Sequence, residues 1–289
     1  MNIILLLSLL FLSINTNAEL QILSDQTSLT GNFIQGGIII GKTLPENQVI
    51  FEDITLQVSS AGDFVFGFNR DEAKQIKLVV VLKDRTIVNH SLNIKHRKYD
   101  IQRIDGLPKA KVSPKKSEVL KRIKLDSAQV ANARLRDDAR LDFKETFIWP
   151  TTGRISGVYG SQRILNGKPK WPHFGVDVAA PVGDNVIAPA SGIITLAISD
   201  MFYSGGTIIL DHGHGLSSSF LHLSEILVKK GDVVKQGDLI AKVGATGRVT
   251  GAHLDWRMNF FKRRVDPQLL VPTMDDRSIK FSKYTKDNK

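Results

Sequence analysis

Residues 171–181, WPHFGVDVAAP, and residues 247–258, GRVTGAHLDWRM, decide how this chain is read. In the first stretch His173 and Asp177 stand four apart with Gly175 between them, among the β-branched residues Val176 and Val178, which favour a strand. Strand side chains alternate faces, so positions 173, 175 and 177 point the same way. The glycine then leaves a space between an imidazole and a carboxylate that an ion can fill. The second stretch sets His253 and Asp255 on one face and turns Leu254 and Trp256 to the other. Between the two lies His222, in SSSFLHLS, facing away from Leu221 and Leu223. Three histidines and two carboxylates against an apolar back have the make-up of a zinc site with acid/base groups beside it. The chain has no cysteine, so disulfides, thiolate ligands and thiol nucleophiles are excluded and a metal must be held by nitrogen and oxygen.

Working outward, strand patterns recur from Phe147-Ile-Trp-Pro150 to about Pro272 with almost no helical period. Two segments within this region are alike, PVGDNVIAPASGIITLAI (181–198) and VKKGDVVKQGDLIAKVGATG (228–247). Each places Gly-Asp before a valine and a second glycine after it, which predicts paired hairpins with glycine at positive φ in the turns. From Leu20 to about Pro108 short period-two runs such as FIQGGIIIG, DFVFGF and KLVVVLKD alternate with Gly, Pro, Asn and Asp, predicting a small antiparallel sandwich. His90 and His96 stand in its last strand pair and read as a solvated face. Residues 109–145 are charged and rich in helix formers, with Ser113 placed to cap and Pro114 suited to a first turn. That segment reads as a linker helix lying along one domain surface, its apolar positions too sparse for a long coiled coil. The expected organisation is a signal peptide over 1–18, an N-terminal β domain over 19–108, the linker over 109–145, a second β domain over 146–272 and a polar tail over 273–289. The fold class is all-β dominated.

Residues 1–18, MNIILLLSLLFLSINTNA, combine a secretory-length apolar run with a small-residue exit, so export is expected, with cleavage of the signal or retention as an anchor both open. The run is short for a membrane span. The net charge of +10 suits an acidic partner, and in an exported protein the polyanions at hand are wall polymers and lipid headgroups. No nucleic-acid recognition motif is present.

The second domain resembles the lysostaphin/LytM-type zinc metallopeptidases, family M23, which cleave peptide links in peptidoglycan. The resemblance covers about Trp149 to Pro272. It rests on ISGVYGSQRILNG, PHFGVDVAAPVGDNVIAPASG, GGTIILDHGHGLSSSFLHLS, VKKGDVVKQGDLIAKVGATGRVTGAHLDW and VDPQLLV, in that order. It implies an antiparallel-β domain of that type, one Zn²⁺ per chain, peptidoglycan as substrate and a periplasmic location, free or anchored to the inner membrane by an uncleaved signal. Cell-wall amidase and divisome proteins are the further partners it brings into view.

Carried over by motif, the metal ligands are His173, Asp177 and Asp255, and the catalytic histidines are His222 and His253. Asp255 departs from the family, whose closing H-x-H has a histidine there. An aspartate is an acceptable zinc ligand, but it lowers the charge of the ion and its ligands from +1 to zero, so bound water is acidified less and the enzyme is expected to be slower or more alkaline. His222 and His253 share the roles of general base and oxyanion stabiliser, unassigned between them. Arg257 shares a face with His253 and Asp255, where it orients Asp255 or meets an acidic stem peptide. Arg163 and Asn166 align with a segment bordering the substrate groove. His212 and His214, in DHGHG, read as turn residues, and Trp171 and Trp256 as groove wall or core.

A metal-free LytM-like module that activates amidases or binds peptidoglycan is the competing expectation. Family members of that kind usually lose several site positions, whereas this chain departs at one. The paired Gly-x-x-Val hairpins are shared with lipoyl and biotinyl carriers, but the exposed hairpin-tip lysine that such a carrier needs is absent.

Overall fold

The computed structural model describes residues 18–104 and 117–274. The expected signal peptide, apart from Ala18, the Ser113–Pro114 helix start and most of the polar tail lie outside the described residues.

The first part of the chain forms two four-stranded antiparallel sheets. One runs Glu19–Ile22, Ser28–Gly31, Ile38–Lys42, Asp63–Gly67, and the other Ile54–Leu56, Gln48–Phe51, Gln75–Val81, Ile87–Asn93. Their inner faces meet in an aromatic cluster: Phe51 and Phe66 ring centres are 4.5 Å apart and Phe66 and Phe68 meet edge to face at 5.7 Å. None of these three rings is exposed, and each contributes on the order of 2–3 kcal/mol by burial. His90 does not sit on a solvated face. Its side chain is 9% exposed and packs 3.3 Å from the Asp25 carboxylate, which is 1% exposed in the turn between Glu19–Ile22 and Ser28–Gly31.

The second part is built on a sheet ordered Arg154–Gly157, Gly175–Ala179, Leu254–Phe260, Leu216–Leu223, Gly205–Asp211, Gly192–Met201, Val233–Val234, with Arg263–Val265 also paired to Leu254–Phe260. The alternation along Leu254–Phe260 sorts its two faces. Leu254, Trp256, Met258 and Phe260 are at most 1% exposed in the core, while Asp255, Arg257 and Asn259 point to the opposite side. The two similar segments do not each fold into the expected hairpin but pair with one another, since Gly192 and Ile193 of the first lie against Val234 and Val233 of the second. Asn185–Ile187 pairs with Leu239–Lys242, and Gly183, Gly231 and Gly237 take φ of 94°, 98° and 87° in the turns.

Helix α1, Ser117–Ala133, lies across the polar face of this sheet. Val130 and Ala133 pack on Leu196, Met201 and Ile209, and the Asp126 carboxylate accepts a 2.8 Å bond from Phe202 N. Beyond α1 the chain is irregular up to the 3₁₀ turn Asp142–Lys144. Phe143 N donates to His212 O (3.0 Å) and His214 N to Asp138 O (2.9 Å), so residues 138–143 are fastened to the sheet.

The two parts share a continuous hydrophobic core, in which Phe51 lies 6.5 Å from Phe260. Partly buried ion pairs cross the junction as well, Arg97 to Asp266 at 2.6 Å and Arg263 to Glu72. Strand Ile101–Ile104 leaves the first part altogether and pairs in parallel with Gln162–Leu165, beside the hairpin that carries Arg163 and Asn166.

Candidate metal centre and catalytic histidines

Adjacent strands Gly175–Ala179 and Leu254–Phe260 pair Asp177 with Asp255 and Gly175 with Arg257. His173 stands just before the first strand, its backbone held on both sides: its N donates to Ser161 O and its O accepts from Gly160 N, each at 2.8 Å. The result is a cluster in which one donor atom each from His173, Asp177 and Asp255 lie within 4.8 Å of one another. His173 Nε2 and Asp177 Oδ1 are 3.2 Å apart yet not aligned for a hydrogen bond, and both are buried atoms without a hydrogen-bond partner among the described residues. Two orphaned polar atoms aimed into one space fit a shared cation. Gly175 keeps that space open, because a Cβ there would come within 2.6 Å of Asp255 Oδ1.

Asp255 is 2% exposed, and both its oxygens accept from Arg257, with Nε at 2.9 and 3.0 Å and Nη2 closing the fork. Burial works against its charge, but the Arg257 guanidinium outweighs burial and holds its pKa below the usual 3.8. Oδ2 accepts from both nitrogens, but Oδ1 accepts from Nε alone and keeps a lone pair, so the carboxylate can still ligate an ion through Oδ1. Burial likewise works against charging His173, and the Asp177 and Asp255 carboxylates overcome it and raise its pKa above 6.5.

His222 reaches this cluster by an irregularity. Leu221 pairs with Asp255, so strict alternation would point His222 into the core. The pairing with Gly205–Asp211 slips one residue between Gly206 and Ile208, and His222 takes φ of 66°. This bulge turns the ring to the polar face, where its centre lies 4.9 Å from that of His253. Its N donates to Ser204 O at 2.8 Å and its Nδ1 contacts Thr246 O at 2.9 Å. A carbonyl oxygen only accepts, so Nδ1 carries the proton and Nε2 presents a lone pair to the site. Burial pushes the His222 pKa below 6.5 and keeps the ring neutral.

His253 is held the same way, Nδ1 at 2.9 Å from Gly251 O, with Nε2 3.8 Å from Asp177 Oδ1. The five residues singled out in the sequence thus meet in one place. Arg257 adjoins them through Asp255. Arg163 is exposed on the Gln162–Leu165 strand, two residues past Ser161, and Asn166 occupies the following turn at φ 49°. Trp171 is 88% exposed on the approach to His173, whereas Trp256 is core, its Nε1 donating to Ser218 Oγ at 3.3 Å.

Thr246, which residue type alone did not single out, positions His222. It sits in the GATG turn, offers its carbonyl to His222, and ties Gly206 N (2.9 Å) and Leu223 O (2.8 Å) with its hydroxyl. The signal available was the glycine on either side of Ala245-Thr246, which marks a tight approach. His212 and His214 do lie in a glycine turn, with Gly213 and Gly215 at φ 85° and 75°, but both are buried. His212 bridges Ser191 O and Ser218 Oγ at 2.8 Å each, which makes it structural.

Residues 171–267 match the model of peptidase family M23. Two peptidoglycan DD-endopeptidases of Vibrio cholerae serotype O1 are similar to the chain. ShyB is 40% identical over 95 residues, 33% of this chain and 22% of that protein, and ShyA is 40% identical over 87 residues, 30% of this chain and 20% of that protein. The chain spans about a fifth of the length of these relatives. A crystal structure described as a peptidase M23 from Pseudomonas aeruginosa superposes with a TM-score of 0.64 at 28% identity, covering 82% of this chain and 94% of that one. The sheet that carries His173, Asp177, His222, His253 and Asp255 is therefore the fold of an M23 peptidase, and this chain carries a peptidase family M23 domain.

Proposed function

We propose that this protein is an exported zinc metalloendopeptidase that hydrolyses peptide bonds in peptidoglycan. The observation that carries the reading is the pair of orphaned atoms, His173 Nε2 and Asp177 Oδ1, beside Asp255 and in front of two imidazoles. Its relatives ShyB and ShyA, named peptidoglycan DD-endopeptidases, support the substrate class. His173, Asp177 and Asp255 would hold the zinc, which when bound supplies Lewis acidity toward water and the scissile carbonyl.

His222 is the general base. Its Nδ1 is committed to Thr246 O and burial keeps it neutral, so Nε2 is free to take a proton. As the water oxygen bonds to the carbonyl carbon, its proton passes to His222 Nε2. When the C–N bond breaks, the same atom returns the proton to the departing amine. His253, held by Gly251 O, is left to stabilise the carbonyl oxygen as charge develops on it. Arg257 positions Asp255, and Arg163 and Asn166 border the groove.

One observation favours a second reading, a metal-free module that binds peptidoglycan or activates amidases. Both oxygens of Asp255 are already engaged by Arg257. The test is zinc content per chain, together with release of soluble fragments from purified peptidoglycan, for the wild type and Asp255→His. Stoichiometric zinc with fragment release in the wild type supports the peptidase. A wild type that holds no zinc and releases nothing, but gains both with histidine at 255, would establish the module instead.

A further inference from the structure

Between α1 and the polar face of the sheet lies an open cavity of about 710 Å³, lined in part by Arg134, Asn259, Arg264, Tyr203 and Ser204. That volume suits a small ligand or a few residues of peptide. Ser204 also holds the backbone N of His222, so the cavity wall continues into the catalytic surface.

Four arginines gather here: Arg257 pairs with Asp255 and Arg263 with Glu72, which leaves Arg134 and Arg264. Arg134, just past the end of α1, reaches to the sheet and donates from Nη2 to Ser219 Oγ at 2.9 Å, next to Arg257 in the strand register. Its Nε is buried without a hydrogen-bond partner. Arg264 donates from Nη1 to Asn259 Oδ1 at 3.2 Å, and its guanidinium carbon lies 5.6 Å from the ring centre of Phe174, the neighbour of His173. Neither arginine has an ion-pair partner among the described residues. Asp126, the carboxylate on the helix side of the cavity, is bonded to Phe202 N, and Asp53 on the rim is exposed. Burial, then the charges of Arg264 and Arg257, depress the pKa of Arg134, and burial followed by Arg257 lowers that of Arg264 to about 10. Guanidinium groups stay protonated at neutral pH, so these shifts register an electrostatic stress that a bound anion would relieve.

We propose that Arg134 and Arg264 form a carboxylate-binding subsite, with Asn259 beside it, that holds an acidic group of the substrate peptide while the scissile bond lies before His222 and His253. The flat fork of each arginine matches a carboxylate, and the unused Nε–H of Arg134 is one of the donors it needs. This inference rests on the peptidase reading for the identity of its ligand, and its test is arranged to separate the two.

Calorimetry on the purified full chain compares the tetrapeptide Ala-Glu-Lys-Ala carrying free carboxylates with the same peptide amidated at both carboxyls, the recovered peptide being checked intact by mass. The wild type should bind the free acid about tenfold more tightly or better, the range expected for one charge-assisted pair. Arg134→Gln and Arg264→Gln should each remove most of that preference and leave binding of the amidated peptide unchanged, while Arg134→Lys keeps part of it. Should Arg264→Gln fail to fold, Arg134→Gln carries the test, since its side chain is only half-buried at a helix end. Equal binding of the two peptides, a preference unchanged in Arg134→Gln, or tighter binding of inorganic phosphate than of the free acid would each overturn the subsite. A carboxylate preference lost in the variants, in a protein that never releases peptidoglycan fragments, would uphold the subsite and remove the peptidase reading. Normal fragment release by both glutamine variants would do the reverse.

Discussion

Arg257 grips both carboxylate oxygens of Asp255 from two residues along the same strand, on the face where the candidate metal ligands converge. Asp255 is buried at 3% side-chain exposure and Arg257 partly so at 27%, and each partner stabilises the charge of the other. It sets the electrostatics of the whole site, because a ligand that carries its own counter-ion offers less negative charge to a metal.

Breaking this pair should cost more than its net worth. Asp255→Asn or Asp255→His leaves a partly buried guanidinium without its carboxylate and is expected to destabilise the protein by about 3 kcal/mol, the low end for a buried pair because Arg257 keeps some contact with solvent. Combining Asp255→His with Arg257→Gln should recover much of that loss. Urea denaturation of the three variants checks this, and equal midpoints for single and double variants would contradict it.

Gly175→Ala fills the space between the ligands. Its Cβ would lie 2.6 Å from Asp255 Oδ1, Arg257 Cγ and Trp256 O, and backbone cannot yield as a side-chain tip can. The variant should lose about 1–3 kcal/mol of stability and bind zinc at least about tenfold more weakly, read by competition with a chromophoric chelator.

His222→Ala should lower kcat by about 10²–10⁴ with little change in KM, because the proton acceptor is removed and the groove is not. The alanine still occupies φ 66°, so the folded state gains no relief from the substitution. A rate on peptidoglycan equal to the wild type would remove His222 from catalysis.

His212 makes stability fall with acid. It is fully buried, and burial lowers its pKa from 6.5 to about 4. As the pH drops the unfolded chain takes up the proton first, so stability is complete above 6.5 and is lost progressively down to about 4. The loss amounts to at most roughly 3 kcal/mol. His212→Gln, which does not titrate, should flatten this limb in denaturation curves taken between pH 7 and pH 4, and an unchanged slope would count against it.

The two parts of the chain should unfold together. Phe51 in the first part and Phe260 in the second belong to one core, and Phe51→Ala is expected to cost about 3–5 kcal/mol across the whole molecule. Tryptophan fluorescence reports on the second part alone, since Trp149, Trp171 and Trp256 all lie there. Its transition should shift along with far-ultraviolet circular dichroism, and separate transitions for the two signals would show independent units.

Strand periodicity alone placed Asp255 opposite Leu254 and Trp256, put Asp177 and Gly175 on one face, and located the glycine turns at 183, 231 and 237, because these depend only on near neighbours along the chain. The absence of cysteine limited any ligands to nitrogen and oxygen in the same direct way. Other features depended on residues distant in sequence. Alternation against Leu221 and Leu223 put His222 on the site side in the sequence, but the register pairs Leu221 with Asp255, and His222 faces the site only because the neighbouring strand slips one residue against it and its backbone turns left-handed. That Arg134 has no ion-pair partner among the described residues follows from where α1 lies, across the polar face of the sheet, and charge composition cannot express that. His90 and His212 lost their solvent to elements 65 and 21 residues away, at Asp25 and Ser191. Burial and partner choice are properties of packing between remote segments, and only the folded chain brings those segments together.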